Sequence, residues 1–176
     1  TDDEFKRKLY VQLDIIFSNF IATKKVFFDM DGPSSYAKIM LQRKRRTAGA
    51  QSIVPGKVTS LYITPGTESM TRIEGYLDSY MQTIKQKYKY TTPEFVISKS
   101  AEFDEGEIKI CRQVIENGLL DINCKHLIIG NDSDLIVLSM GMKPIYNINL
   151  LVKSKKNNEL ISLKNLISDY AKSINR

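Results

Sequence analysis

Val26-Phe27-Phe28-Asp29-Met30-Asp31-Gly32-Pro33-Ser34-Ser35 (VFFDMDGPSS) is an apolar run that ends in two aspartates one residue apart, followed by Gly-Pro. A short apolar run closed by turn residues reads as a buried strand, here over residues 25–30. In α/β proteins, sites form beyond the carboxyl ends of such strands. The stretch leaves two readings open. Either Asp29 is a nucleophile, or one of the two carboxylates holds a metal.

Working outward, the same arrangement recurs twice. Phe95-Val96-Ile97-Ser98 reads as a second strand and precedes Glu105 and Glu107. His126-Leu127-Ile128-Ile129 reads as a third and precedes Asp132 and Asp134. Helical periodicity fills the intervals. Phe5, Leu9, Leu13, Ile16 and Phe20 mark a helix over 3–22, and another is expected from about Ser35 to Thr47. Met70, Ile73, Leu77, Tyr80 and Ile84 carry a helix toward residue 88, with Thr64 as its cap and Pro65 in the first position. Further helices are expected from about Asp104 to Asn117, from Asp132 to Met140 and over 162–174. Residues 47–60 read as a loop because they lack a period and contain Pro-Gly. Residues 144–152 read as a fourth strand, one half of a hairpin across the Lys153–Asn158 turn. Alternating strands and helices define an α/β class. The expected architecture is a mostly parallel central sheet flanked by helices, with the site at the carboxyl ends of the strands.

The chain has 176 residues, 42% of them hydrophobic, which suits one folded domain with a sizeable core. No apolar run approaches the roughly 18 residues of a membrane-spanning helix. The first residue is Thr, and no secretory pattern opens the chain, which fits a processed chain or an excised piece in a reducing compartment. Two cysteines, Cys111 and Cys124, and one histidine, His126, do not make a zinc site or a disulfide framework. The net charge is +6, and five of the positive charges fall in Lys38–Arg46 (KIMLQRKRR). Such a balance suits a polyanionic partner.

Asp31, Glu105, Glu107, Asp132 and Asp134 thus follow three separate strands. Clustered carboxylates stay ionised together only beside a compensating cation. Oxygen donors favour Mg²⁺ or Mn²⁺ over zinc. Two ions about 4 Å apart suit phosphodiester hydrolysis. The alternative is that these acids face solvent or cap helices, since Asp104 and Asp132 sit where N-caps belong. On a wheel of about 100° per residue with Lys38 at zero, Gln42 falls near +40°, Arg45 near −20° and Arg46 near +80°. Arg43 and Lys44 point elsewhere, and Ala37, Leu41 and Met40 are expected to pack. Guanidinium forks, an ammonium and an amide on one face suit a terminal phosphate. The alternatives are a solvated charged face or a basic localisation signal.

In combination these blocks resemble the catalytic region of the XRN family of 5′→3′ exoribonucleases. Met30-Asp31-Gly32, Ala37-Lys38 and Gln42-Arg43-Lys44-Arg45-Arg46 are similar to the family's Asp-Gly, Ala-Lys and Gln-Arg-x-Arg-Arg. Ile63-Thr64-Pro65-Gly66-Thr67-Glu68 with Met70, Glu105-Gly106-Glu107-Ile108-Lys109-Ile110, and Gly130 through Leu138 resemble three further blocks in the same order. The resemblance implies a fold like that of PIN and flap nucleases. It also implies metal-dependent release of mononucleotides from single-stranded RNA with a 5′-monophosphate end, as in RNA degradation. The matched positions would be Asp31, Glu105, Glu107, Asp132 and Asp134 for two Mg²⁺ or Mn²⁺ ions, and Lys38, Gln42, Arg45 and Arg46 for the 5′-phosphate. On this reading Asp31 is the ligand, Asp29 ends the strand or stands outside the metal shell, and the setting is cytoplasmic or nuclear. No membrane partner is implied.

The chain also departs from the pattern. Phe103-Asp104 stands for the family's Pro-Gly, Ile108 for its His, Ser69 for its Phe, and Pro33-Ser34-Ser35-Tyr36 for a Val-Ala-Pro-Arg stretch. The family's first strand, with an Asp and a nearby His, and its later Gly-Asn-Asp block are not in these residues. Residues 1–176 are therefore expected to be a single α/β nuclease domain, an internal piece of a larger catalytic region or a divergent minimal relative. Three other readings remain. One is a flap-type DNA nuclease, and another is a catalytically degenerate RNA- or protein-binding relative. The third is a haloacid-dehalogenase-like phosphatase, whose usual Thr or Val after the Gly is replaced here by Pro33.

Overall fold

The structure is a computed structural model that describes residues 2–50, 61–87, 93–143, 145–153 and 158–174. The elements in chain order are α1 (Asp2–Asn19), β1 (Lys25–Asp29), α2 (Tyr36–Ala50), α3 (Glu68–Lys87), β2 (Glu94–Ser98), α4 (Gly106–Leu120), β3 (His126–Ile129), α5 (Ser133–Met140), β4 (Ile148–Lys153), β5 (Asn158–Ser162) and α6 (Leu163–Ile174). A single 3₁₀ turn, Ile145–Asn147, leads into β4. The chain divides into two compact units, Thr1–Gly106 and Glu107–Arg176. The class is α/β, as expected, but the strands form two small sheets rather than one central sheet among the described residues.

In the first unit β1 and β2 pair in parallel, from Lys25 opposite Glu94 to Asp29 opposite Ser98. A parallel pair needs a crossover, and α2 and α3 lie between these strands in the chain. The core joins Leu13 and Phe17 of α1 to Leu77, Tyr80 and Ile84 of α3, with Val26, Phe28, Phe95 and Ile97 of the sheet packed against them. The α3 periodicity is as expected. On α1 the buried stripe runs through Leu13 and Phe17, while Ile16 is only half-buried; the helix ends at Asn19, before the expected Phe20. Helix α3 starts later than expected. The Thr64 hydroxyl donates to Leu61 O at 3.0 Å, which commits it to the preceding turn. Thr67 is the cap instead, since its Oγ1 accepts from Met70 N at 3.4 Å, in the third helical position.

In the second unit β3 and β4 are parallel and β4 and β5 form the expected antiparallel hairpin. Its connecting residues 154–157 lie outside the described residues, as do 51–60 of the expected loop and Pro144 of the expected fourth strand. Val114, Ile128, Leu135, Met142, Ile148, Leu150 and Leu163 form the core. Ile148 and Leu163 are fully buried, and burial of such side chains contributes about 1.5–3 kcal/mol each. No helix among the described residues is long and apolar enough to cross a membrane.

Candidate active site

Strand β1 delivers Asp29 and Asp31 to a tight junction with the chain that leaves β2. Met30 N donates to Ser98 O at 3.0 Å, Gly32 N to Asp104 O at 2.9 Å, and Asp104 N to Pro33 O at 3.0 Å. Asp31 Oδ1 accepts from Gly106 N at 2.7 Å, so the carboxylate ties down the first residue of α4. The glycines of the two motifs permit this approach. A Cβ on Gly32 would overlap the Glu102 carbonyl, and one on Gly106 would lie 2.8 Å from Asp29 O and 3.1 Å from Asp31 Oδ1. Asp104, expected as an N-cap, instead takes φ 87°, and its main chain serves the junction. A left-handed residue cannot have the extended backbone that an N-cap requires.

Glu105 lies opposite the basic face of α2. Lys38 Nζ forms an ion pair with Glu105 Oε2, and Gln42 Nε2 donates to Glu105 Oε1 at 3.4 Å. Arg46 Nη2 donates to Gln42 Oε1 at 3.1 Å, one helical turn apart. The structure therefore joins Lys38, Gln42 and Arg46 on the face given by the wheel, while Arg45 stands exposed. The expected packing of Ala37, Met40 and Leu41 is not found. All three are exposed, and among the described residues of α2 only Gln42 and Arg46 are half-buried. The residues that anchor α2 are thus polar, because Glu105 and not an apolar core faces it. A cavity of about 490 Å³ is lined by Met40, Arg43, Lys44, Thr47 and Ala48, residues other than the four expected to bind phosphate.

The second unit holds the other three acids. Glu107 of α4, Asp132 and Asp134 place one carboxylate oxygen each within 4.8 Å of one another. Asp132 is also the N-cap of α5, with Oδ1 accepting from Asp134 N at 3.0 Å. Capping and clustering are compatible here because one carboxylate has two oxygens. Glu107 and Asp134 lie in first helical turns, where aligned backbone dipoles ease the gathering of negative charge. The donor set is all oxygen, which fits a hard divalent cation such as Mg²⁺ or Mn²⁺. One turn after Glu107, Cys111 is pushed up from the ordinary thiol value, first by burial and then by the charge of Glu107. A thiol held protonated there is a poor nucleophile and metal ligand.

Two features escaped the sequence reading. Lys109 is 3% exposed, rare for lysine, but its spacing in the motif gave no sign of burial. Glu102, within the acidic run, serves the loop after β2: it accepts from Ser98 Oγ at 2.7 Å and Lys99 N at 3.0 Å.

The first unit thus carries Asp31 and Glu105 close to the basic helix α2, and the second carries three carboxylates grouped at helix starts. Residues 54–152 match the family model described as the XRN 5'-3' exonuclease N-terminus, and the chain belongs to that family. It is 29% identical over 161 residues to 5'-3' exoribonuclease 1 of Saccharomyces cerevisiae, covering 80% of this chain and 10% of that protein. It is 28% identical over 160 residues to 5'-3' exoribonuclease 1 of Homo sapiens, covering 80% of this chain and 9% of that protein. The chain thus spans about a tenth of the length of these curated relatives.

Proposed function

We propose that this chain carries the metal- and phosphate-binding part of a 5′→3′ exoribonuclease that degrades 5′-monophosphorylated single-stranded RNA in the cytoplasm or nucleus. The observation that carries this reading is the α2 face, where Lys38 and Gln42 converge on one anion, the Glu105 carboxylate, and Arg46 donates to Gln42 beside them. Donors that hold a carboxylate this way also suit a terminal phosphate. Asp31, Glu105, Glu107, Asp132 and Asp134 are assigned as metal ligands, and Lys38, Gln42, Arg45 and Arg46 as phosphate ligands. Bound divalent ions would supply an activated water and neutralise charge on the leaving oxygen. The chain's own part is to hold the first diester in register by gripping the terminal phosphate, which carries more charge than an internal one. A 5′-hydroxyl end would offer that face no charged group to grip, and a capped or triphosphate end would be too large. Family membership supports the reaction class.

The test is mononucleotide release from RNAs that differ only at the 5′ end, in Mg²⁺ and in EDTA. Metal-dependent release selective for the monophosphate is expected, and Glu105→Gln or Asp132→Asn should slow it at least about a hundredfold. Equal rates on phosphate and hydroxyl ends would remove the phosphate gate. Preference for DNA flaps would favour a structure-specific nuclease, and binding without cleavage a degenerate relative.

A further inference from the structure

We infer that Glu74, a residue in neither ligand set assigned above, is a positioning residue for the phosphate pocket: it holds the loop after β2 so that Glu105 meets Lys38 and Gln42. The inference rests on the phosphate-pocket reading above and adds to it a residue that acts through Glu105. The loop leaves β2 at Ser98 and ends at Glu105, just before α4. Two carboxylates fasten its first residues. Glu102 belongs to the loop itself and binds back to Ser98 Oγ and Lys99 N. Glu74 comes from a different element, α3, and its Oε1 accepts from Ser100 N at 2.9 Å and from Ser100 Oγ at 2.6 Å. Bonds of these lengths are those of an ionised carboxylate. Ser100 is only 5% exposed, so little water can reach its N–H in place of Glu74.

The far end of the loop cannot hold Glu105 by itself. Asp104, its neighbour, takes φ 87°, a left-handed conformation that persists in a non-glycine residue only while the surroundings enforce it. Released at Ser100, the loop can relieve that strain, and Glu105 moves with it. Glu105 in turn orders the pocket donors. The Lys38 side chain is 44% exposed and has many rotamers to lose on gripping a phosphate. Its ion pair with Glu105 fixes the ammonium beforehand, and an ammonium has three donors, so one partner does not exhaust it. The Gln42 amide is held from one side by Glu105 and from the other by Arg46. Donors ordered before binding raise affinity without any added contact. A hydrogen-bonded path thus runs from α3 through Ser100 and the loop to the α2 face.

The test is equilibrium binding of a cleavage-resistant, phosphorothioate-linked RNA with either a 5′-phosphate or a 5′-hydroxyl, by fluorescence anisotropy in Mg²⁺. The quantity read is the affinity ratio of the two ends, which cancels general effects on RNA binding. Glu74→Ala should lower the ratio about three- to tenfold, the effect of one or two side chains no longer ordered beforehand. Glu74→Gln keeps an oxygen that can accept both Ser100 bonds and should retain most of the wild-type ratio. In a Glu105→Ala background, Glu74→Ala should change the ratio by less than about twofold, because both act through one contact. Tyr80→Phe removes a hydrogen bond to Asp14 elsewhere on α3 and should leave the ratio unchanged. A wild-type ratio well above one that Glu74→Ala does not alter, or that Tyr80→Phe lowers equally, would overturn the positioning role and leave the phosphate pocket standing. A full effect of Glu74→Ala in the Glu105→Ala background would do the same. A wild-type ratio near one would overturn both. Circular dichroism of each variant establishes that it is folded before its ratio is read.

Discussion

Asp104 shows how a single residue departs from the family pattern and what that costs. Its φ of 87° lies in the left-handed region, where the resembled family has Gly. A side chain there costs about 1–2 kcal/mol, less for Asp than for most residues. Its main chain does the structural work, through the bonds to Gly32 and Pro33. Asp104→Gly should therefore stabilise the protein by about 0.5–1 kcal/mol after the larger entropy of unfolded glycine is subtracted. Asp104→Ala should destabilise it, and thermal unfolding of both variants measures the order. Cys111 offers a second residue-scale expectation. Burial and Glu107 raise its thiol above the ordinary 9.0, so the fold disfavours the thiolate. The associated stability is present below 9.0 and is lost as pH rises through the raised value. Urea unfolding from neutral to alkaline pH should show that decline, and Cys111→Ala should flatten it.

Elements were legible in proportion to how local their causes are. The α3 stripe was readable because Met70, Leu77, Tyr80 and Ile84 repeat at helical spacing. Its start was misplaced because Thr64 and Thr67 are both plausible caps, and a hydrogen bond from Thr64 back to Leu61 decides between them. Strands β1 and β3 were visible as apolar runs. Their distribution over two sheets was not, since strand pairing joins residues far apart in sequence. The junction of β1 with the start of α4 is built by contact rather than by periodicity, and Gly106 is its test. Gly106→Ala would drive a methyl into Asp29 O, a main-chain atom too close for a Cβ, and crowd Asp31 Oδ1 by a few tenths of an ångström. The expected loss is about 1–3 kcal/mol, because the main chain of β1 must shift. Chemical denaturation measures that loss. If the junction also positions Asp31, metal affinity should fall in the same variant while it is still folded.

At the scale of the whole molecule, most of the candidate site was announced by residue type and order, but its grouping was not. The wheel placed Lys38, Gln42 and Arg46 together, and the structure keeps them together. No sequence pattern showed that the shared partner of Lys38 and Gln42 would be Glu105, a residue 67 positions beyond Lys38. The five acids divide between the two units, Asp31 and Glu105 in the first and Glu107, Asp132 and Asp134 in the second. The net charge of +6 adds a general attraction for RNA, and the salt dependence of binding separates that attraction from the pocket. Neutralised single-strand phosphates each contribute about −0.7 to the slope of log K against log salt. If Lys38, Arg45 and Arg46 all grip the one 5′-terminal phosphate, replacing the three by Gln should flatten the slope by about 0.7. Replacing Arg43 and Lys44, directed elsewhere on the same helix, removes two charges and should leave the slope nearly unchanged. Titrations in Mg²⁺ over a salt series, using the same 5′-phosphorylated cleavage-resistant RNA, give both numbers. Equal flattening in the two variants would mean that α2 attracts RNA by its summed charge, and that its Lys38 face has no privileged role.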